Sequence, residues 1–169
     1  MKYFIRIIFL ILLTATCVMC QGNMYNYGKI IDNMDSADVY QEQNDSSPVI
    51  SQLNKREYFL ILSSKDGWSN ILTMSNITGY IADSYVNVKG TACGAASIDL
   101  DGDRMHTYLY MDASFLASAS ETVTDGDYII ILDNSDSEGF DDMNIVLTKF
   151  GIRGYIDEKY VKTIFPKKD

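Results

Sequence analysis

From residue 37 onward, apolar residues come in short runs broken by Gly, Asn, Asp and Ser, and no stretch sustains a 3.6-residue period. Runs at 37–40, 49–53, 58–62, 68–74 and 79–81 are followed by a second series at 108–111, 116–123, 128–132, 143–150 and 154–156. Bounded by turn residues in this way, each run predicts a strand, and the whole predicts an all-β chain. Asp66-Gly67, Asp125-Gly126 and Glu138-Gly139 sit between runs, where an acidic-Gly pair supplies the positive φ of a tight turn. After the last run of each series, 83–85 and 158–160 read as single turns of 3₁₀ helix leading into a closing strand.

The two series are copies. GYIADSYV at 79–86 and GYIDEKYV at 154–161 share five of eight positions, all Gly, Tyr, Ile or Val. Val39-Tyr40 aligns with Leu109-Tyr110, and 58–62 with 128–132, at an offset of 70. Asp66-Gly67-Trp68 then aligns with Glu138-Gly139-Phe140 at 72, and the closing phrase at 75. The second copy is thus expected to have gained two residues in one turn and three in the next, where surface loops tolerate insertion. Each copy is small enough to be marginal alone, so the two are expected to pack together or to share a linking strand.

The first twenty residues carry Lys2, Arg6 and an apolar run at 7–13 with no acid, the layout of a secretory signal peptide. Cys17 and Cys20 sit where a lipoprotein would be acylated, so a lipid anchor and a plain cut both stay open. The expected organisation is a signal peptide at 1–20, a polar spacer at 21–36, barrels at 37–88 and 105–165, and a linker or hairpin at 89–104. Export leads to the periplasm, the cell surface or the medium. Past the signal only Cys93 is certain to remain, so no disulfide framework is expected.

Loss of those twenty residues takes the formal charge from -9 to 23 acidic against 12 basic residues, or -11. Such a surface opposes polyphosphate and makes nucleic acid an unsuitable partner. The residues offer no Gly-rich phosphate loop, paired carboxylates or zinc spacing, and no cofactor is expected. Asp99-Leu100-Asp101-Gly102-Asp103 has the acidic spacing of a calcium loop. It carries Arg104 where the loop needs Gly and Tyr110 where it needs Glu. A hairpin turn at Asp101-Gly102, joining 96–100 to 105–110, explains the same residues, so no metal site is assigned. Cys93 and His106 could form a nucleophile and base, but no third group orients the base, and no catalytic residue is assigned.

The order ADVY, a polar loop to SSPVI, LNKREYFLIL, DGW, GYI and YV resembles the bacterial SH3-like domain. The resemblance covers 36–88 and, less fully, 105–164. It implies two tandem small SH3-like barrels in an exported protein, of a family that commonly recognises cell-wall peptides or proteins. This chain has Gln41-Glu42-Gln43-Asn44-Asp45 where the family has an Arg, Gly and Pro cluster, and Phe140 stands for Trp68 in the second copy. Aromatics recur at matched positions: Tyr40, Trp68, Tyr80 and Tyr85, then Tyr110, Phe140, Tyr155 and Tyr160. In such folds an aromatic groove accepts an extended peptide, so these eight are the candidate ligand-binding residues. The expected function is non-enzymatic binding of peptidoglycan or of an envelope protein or peptide, with membrane contact only through a lipid anchor. The alternative is a structural subunit of an envelope complex with no free groove.

Overall fold

A computed structural model describes residues 24–102, 104–112, 119–132 and 142–166. The short apolar runs become strands, and the first copy is built from β1 (Tyr25–Ile30), β2 (Ser36–Tyr40), β3 (Val49–Asn54), β4 (Tyr58–Lys65), β5 (Trp68–Thr73) and β6 (Thr78–Ala82). A long β7 (Val86–Ile98) leads into β8 (His106–Tyr110), β9 (Ala119–Thr124), β10 (Tyr128–Leu132), β11 (Met143–Thr148), β12 (Arg153–Asp157) and β13 (Val161–Phe165). Single 3₁₀ turns at Asp83–Tyr85 and Glu158–Tyr160 stand where the sequence places them. Asp66 and Gly67 have φ of 52° and 81°, the pair of positive values that matches a two-residue hairpin to strand twist. The fold is all-β, one antiparallel sheet in the order β3-β2-β6-β5-β4-β1-β7-β10-β11-β12-β8-β9, with β13 also paired to β7.

Backbone hydrogen bonds repeat between the halves. Ile31 N donates to Tyr85 O at 3.0 Å, and Asp99 N to Tyr160 O at 3.0 Å. Thr73 N donates to Ile77 O at 2.9 Å, and Thr148 N to Ile152 O at 2.9 Å. These bonds make β1 the counterpart of the second part of β7, and they set β5 against β11 at an offset of 75. Trp68 faces Ala82 across its ladder and Met143 faces Asp157 across the equivalent one. Met143, not Phe140, is therefore the counterpart of Trp68. All five extra residues of the second copy fall between β10 and β11 rather than being divided between two turns.

Two expected boundaries are corrected. Residues 21–36, read as a spacer, contain β1, which pairs with both β4 and β7. Residues 89–104, read as a linker or hairpin, are mostly β7, and β7 pairs with β1, β10 and β13 but not with β8. The turn at Asp101-Gly102 thus makes no hairpin. The signal peptide at 1–20, with Cys17 and Cys20, lies outside the described residues, as do Asp103, Leu116, Glu138-Gly139 and Phe140.

Strand alternation divides the apolar side chains among three cores. Inside the first half, Ile30, Val39, Leu53, Phe59, Ile71 and Ile81 pack together, with Val86 against them. Strands from both ends of this half-sheet meet in one cluster, so the half-sheet curls around its own core. Ile98, Leu109, Val123, Ile129, Val146 and Ile156 repeat the arrangement in the second half. The alternate residues Leu60, Leu72, Ile130, Leu132 and Leu147 point the other way and form a third core shared by both halves. Two marginal copies thus gain stability by burying a common face, at ~1.5–3 kcal/mol for each fully buried aliphatic side chain.

The shared core has a polar clasp. Tyr58 N donates to Lys149 O at 2.9 Å, and Lys149 Nζ meets Glu57 Oε1 at 2.8 Å. Burial pushes the Glu57 carboxyl up, but hydrogen bonds from Lys149 and Asn54 outweigh that and hold it below its ordinary value. Gly151, at φ 85°, lies so close to the Tyr58 ring that a Cβ would stand 2.4 Å from Cε2. Only glycine fits both the left-handed backbone and the contact.

Candidate functional site

The repeated GYI phrase has a steric origin. A Cβ on Gly79 would stand 2.6 Å from Val39 Cγ1 and 2.8 Å from Tyr40 O, and one on Gly154 would stand 2.8 Å from Leu109 Cβ. In each half the glycine lets β6 or β12 cross close to β2 or β8. The following Tyr turns outward and the Ile inward, with Ile81 and Ile156 buried. The outward tyrosines face partners directly across the ladder, Tyr80 opposite Tyr40 and Tyr155 opposite Tyr110.

In the first half this geometry builds an aromatic face. Tyr40 meets Trp68 edge-on, with ring centroids 5.7 Å apart and planes at 90°. Tyr80 lies opposite Asn70 on β5, and Tyr40, Trp68, Asn70 and Tyr80 are all half-buried. The Asn70 Oδ1 is buried and has no hydrogen-bond partner among the described residues, a costly state for a polar atom beside a hydrophobic surface. Tyr85 lies in the following 3₁₀ turn, 40% exposed. Three of the four first-copy candidates are thus brought together.

The second half treats the same positions differently. The counterparts of Trp68 and Asn70 are Met143 and Ile145, both buried, and β11 is buried along its whole length. Tyr155 packs onto the shared core. Tyr110 and Tyr160 instead line an open cleft of about 730 Å³ together with Arg104, His106, Asp157 and Lys159. Phe140 lies outside the described residues.

Two cations converge on Tyr160 in this cleft. The Arg104 guanidinium carbon is 5.1 Å from the ring centroid and its Nη1 donates to the Tyr160 hydroxyl. Lys159 Nζ is 4.7 Å from the same centroid and pairs with Asp157. The hydrogen bond to Asp157 raises the Lys159 ammonium above its ordinary value. Sequence reasoning missed Arg104 and Lys159, which are separated by 55 positions. Comparing the copies offered a signal, because the matching first-copy residues are Met34 and Ser84.

The remaining candidates do not assemble. Cys93 is half-buried on β7 and disulfide-bonded, which leaves no thiolate there to pair with His106. His106 is exposed at the start of β8, its ring edge-on to Tyr108 at 5.7 Å. Asp99 lies 3.6 Å from Lys162 Nζ. Among the described residues no group of three or more His, Cys, Asp or Glu side chains is placed to hold a metal.

No protein-family model matches the chain, and no curated protein matches it. Among solved structures it is similar to NlpC2 from Trichomonas vaginalis, at 15% identity and a TM-score of 0.37, over 86% of this chain and 50% of that one. It is likewise similar to NlpC1 from Trichomonas vaginalis, at 14% identity and a TM-score of 0.38, over 88% of this chain and 49% of that one. The chain spans about half the length of these two proteins.

Proposed function

We propose that the protein is a non-enzymatic, exported binding module of the SH3-like kind. Its first half takes an extended ligand, a cell-wall component or an envelope protein, on the face formed by Tyr40, Trp68 and Tyr80. The observation that carries this reading is an asymmetry between copies. Where the second half buries Met143 and packs Ile145 into the core shared by both halves, the first keeps a half-exposed Trp68 edge-on to Tyr40. Aromatic rings held by their neighbours lose little freedom on contact, and together they offer a preformed face to an extended ligand.

Co-sedimentation with purified peptidoglycan sacculi tests the reading. The protein should pellet, and Trp68→Ala should weaken pelleting about tenfold, the loss expected of an aromatic anchor, while its thermal transition stays cooperative. A folded protein that stays in the supernatant would remove the wall from the reading, and crosslinking in intact cells would then look for an envelope protein. Equal pelleting by both forms would move the ligand away from this face altogether.

A further inference from the structure

The second-half cleft is a positive island on an acidic chain. Among the described residues Arg104 and Lys159 line it against one carboxylate, Asp157, whereas the whole chain carries a formal charge of -9. Asp157 is already engaged, by Lys159 Nζ and by the backbone N–H of Lys159 at 3.0 Å. Arg104 has no carboxylate partner among the described residues and spends one donor on the Tyr160 hydroxyl. A guanidinium carries five N–H donors in a planar fork suited to a carboxylate, and its ring contact holds the plane in place. At the rim, Met105 is 79% and Tyr108 44% exposed, which adds an apolar shelf beside the charge. The volume of about 730 Å³ suits a small ligand rather than a flat protein surface.

The first half acts as an internal control. At the position of Arg104 it has Met34, which packs against its core, and at the position of Lys159 it has Ser84. Neither cation serves the folding pattern common to both copies. We propose that the cleft is a second binding site, taking the free C-terminal carboxylate of a short peptide. Arg104 holds the carboxylate, and Met105 and Tyr108 receive an adjoining apolar side chain. This site is separate from the aromatic face of the first half and stands or falls without it.

The test is an NMR titration of the full chain with N-acetyl-alanyl-alanine, with its C-terminal amide, and with sodium phosphate. The acid should shift backbone amides of β8 and of residues 158–160, and bind about tenfold more tightly than the amide. Arg104→Gln should remove that preference, and Tyr160→Phe should weaken it while leaving the fold intact. Trp68→Ala should leave it unchanged. The proposal is overturned if neither compound shifts these elements at ~10 mM, if acid and amide bind alike, or if Arg104→Gln has no effect. Equal shifts with phosphate would make this a general anion site and overturn the peptide assignment.

Discussion

The two halves share a backbone plan and differ in what they do with its outer surface. On β5 the outward positions are Trp68 and Asn70, half-buried beside Tyr40 and Tyr80. On β11 the same positions are Met143 and Ile145, closed off from solvent. Near the other end of the fold the contrast reverses, with Met34 packed on the first core and Arg104 exposed in a cleft of the second. Residues that a small curled sheet needs, such as Gly79 and Gly154 or Ile81 and Ile156, stay the same in both copies. Function is best sought where duplicated positions have parted and packing does not account for the change: Ile145 parts from Asn70 because it enters the shared core, whereas Trp68 stays half-exposed.

The largest expected effect asks whether the halves are separate at all. Leu60→Ala or Ile130→Ala, both in the shared core, should each cost ~2–5 kcal/mol. Calorimetry should still show one transition, and two resolved transitions would break the picture of a single folding unit. Next comes the outer surface itself. Met143→Ala should destabilise by ~2–4 kcal/mol but Trp68→Ala by only about 1 kcal/mol in urea unfolding, because the first side chain is buried and the second half-exposed. Equal losses would mean that Trp68 is packing material like its counterpart.

Gly79→Ala and Gly154→Ala sharpen the steric part of the comparison. Each forces a Cβ against the neighbouring strand, and each should cost ~1–3 kcal/mol by thermal melting. A neutral result at either position would show that its close crossing can relax. The smallest effect concerns the clasp. Lys149→Met should cost about 0.5–1 kcal/mol at neutral pH, since the lysine is partly exposed. Glu57 is held below its ordinary value of 4.5, so its contribution is fully present above that pH and is lost as pH falls through the lower folded value. In Lys149→Met the acid dependence of stability below about pH 4.5 should flatten, and an unchanged profile would assign it to other carboxylates.

Much of this architecture was legible in the sequence because period-two alternation and acidic-Gly turns mark strands locally. The 3₁₀ turns at 83–85 and 158–160 could be read from one repeated phrase. β1 was missed for a physical reason. YNYGKI puts Tyr25 and Tyr27 against the shared core and Ile30 on the opposite face in the first-half core, so its apolar residues do not fall on one period-two face. Glu138-Gly139-Phe140 imitates Asp66-Gly67-Trp68 along the chain, whereas the true register is set by ladder bonds between distant strands, which put Met143 at the position of Trp68. Among the candidate aromatics, Tyr40, Trp68 and Tyr80 were legible as a group since their positions follow from strand order. Arg104 and Lys159 were not, because their meeting depends on how the ends of β8 and β12 come together in space.

The thirteen-residue β7 makes the two copies joint owners of one wall. Its first part completes the first half and its second part opens the second, so no cut within 86–98 yields two intact pieces. These are not interchangeable cassettes. A transplanted half would have to bring its own substitute for β1 or β7, and a third copy could be added only if its opening strand were grown out of β13.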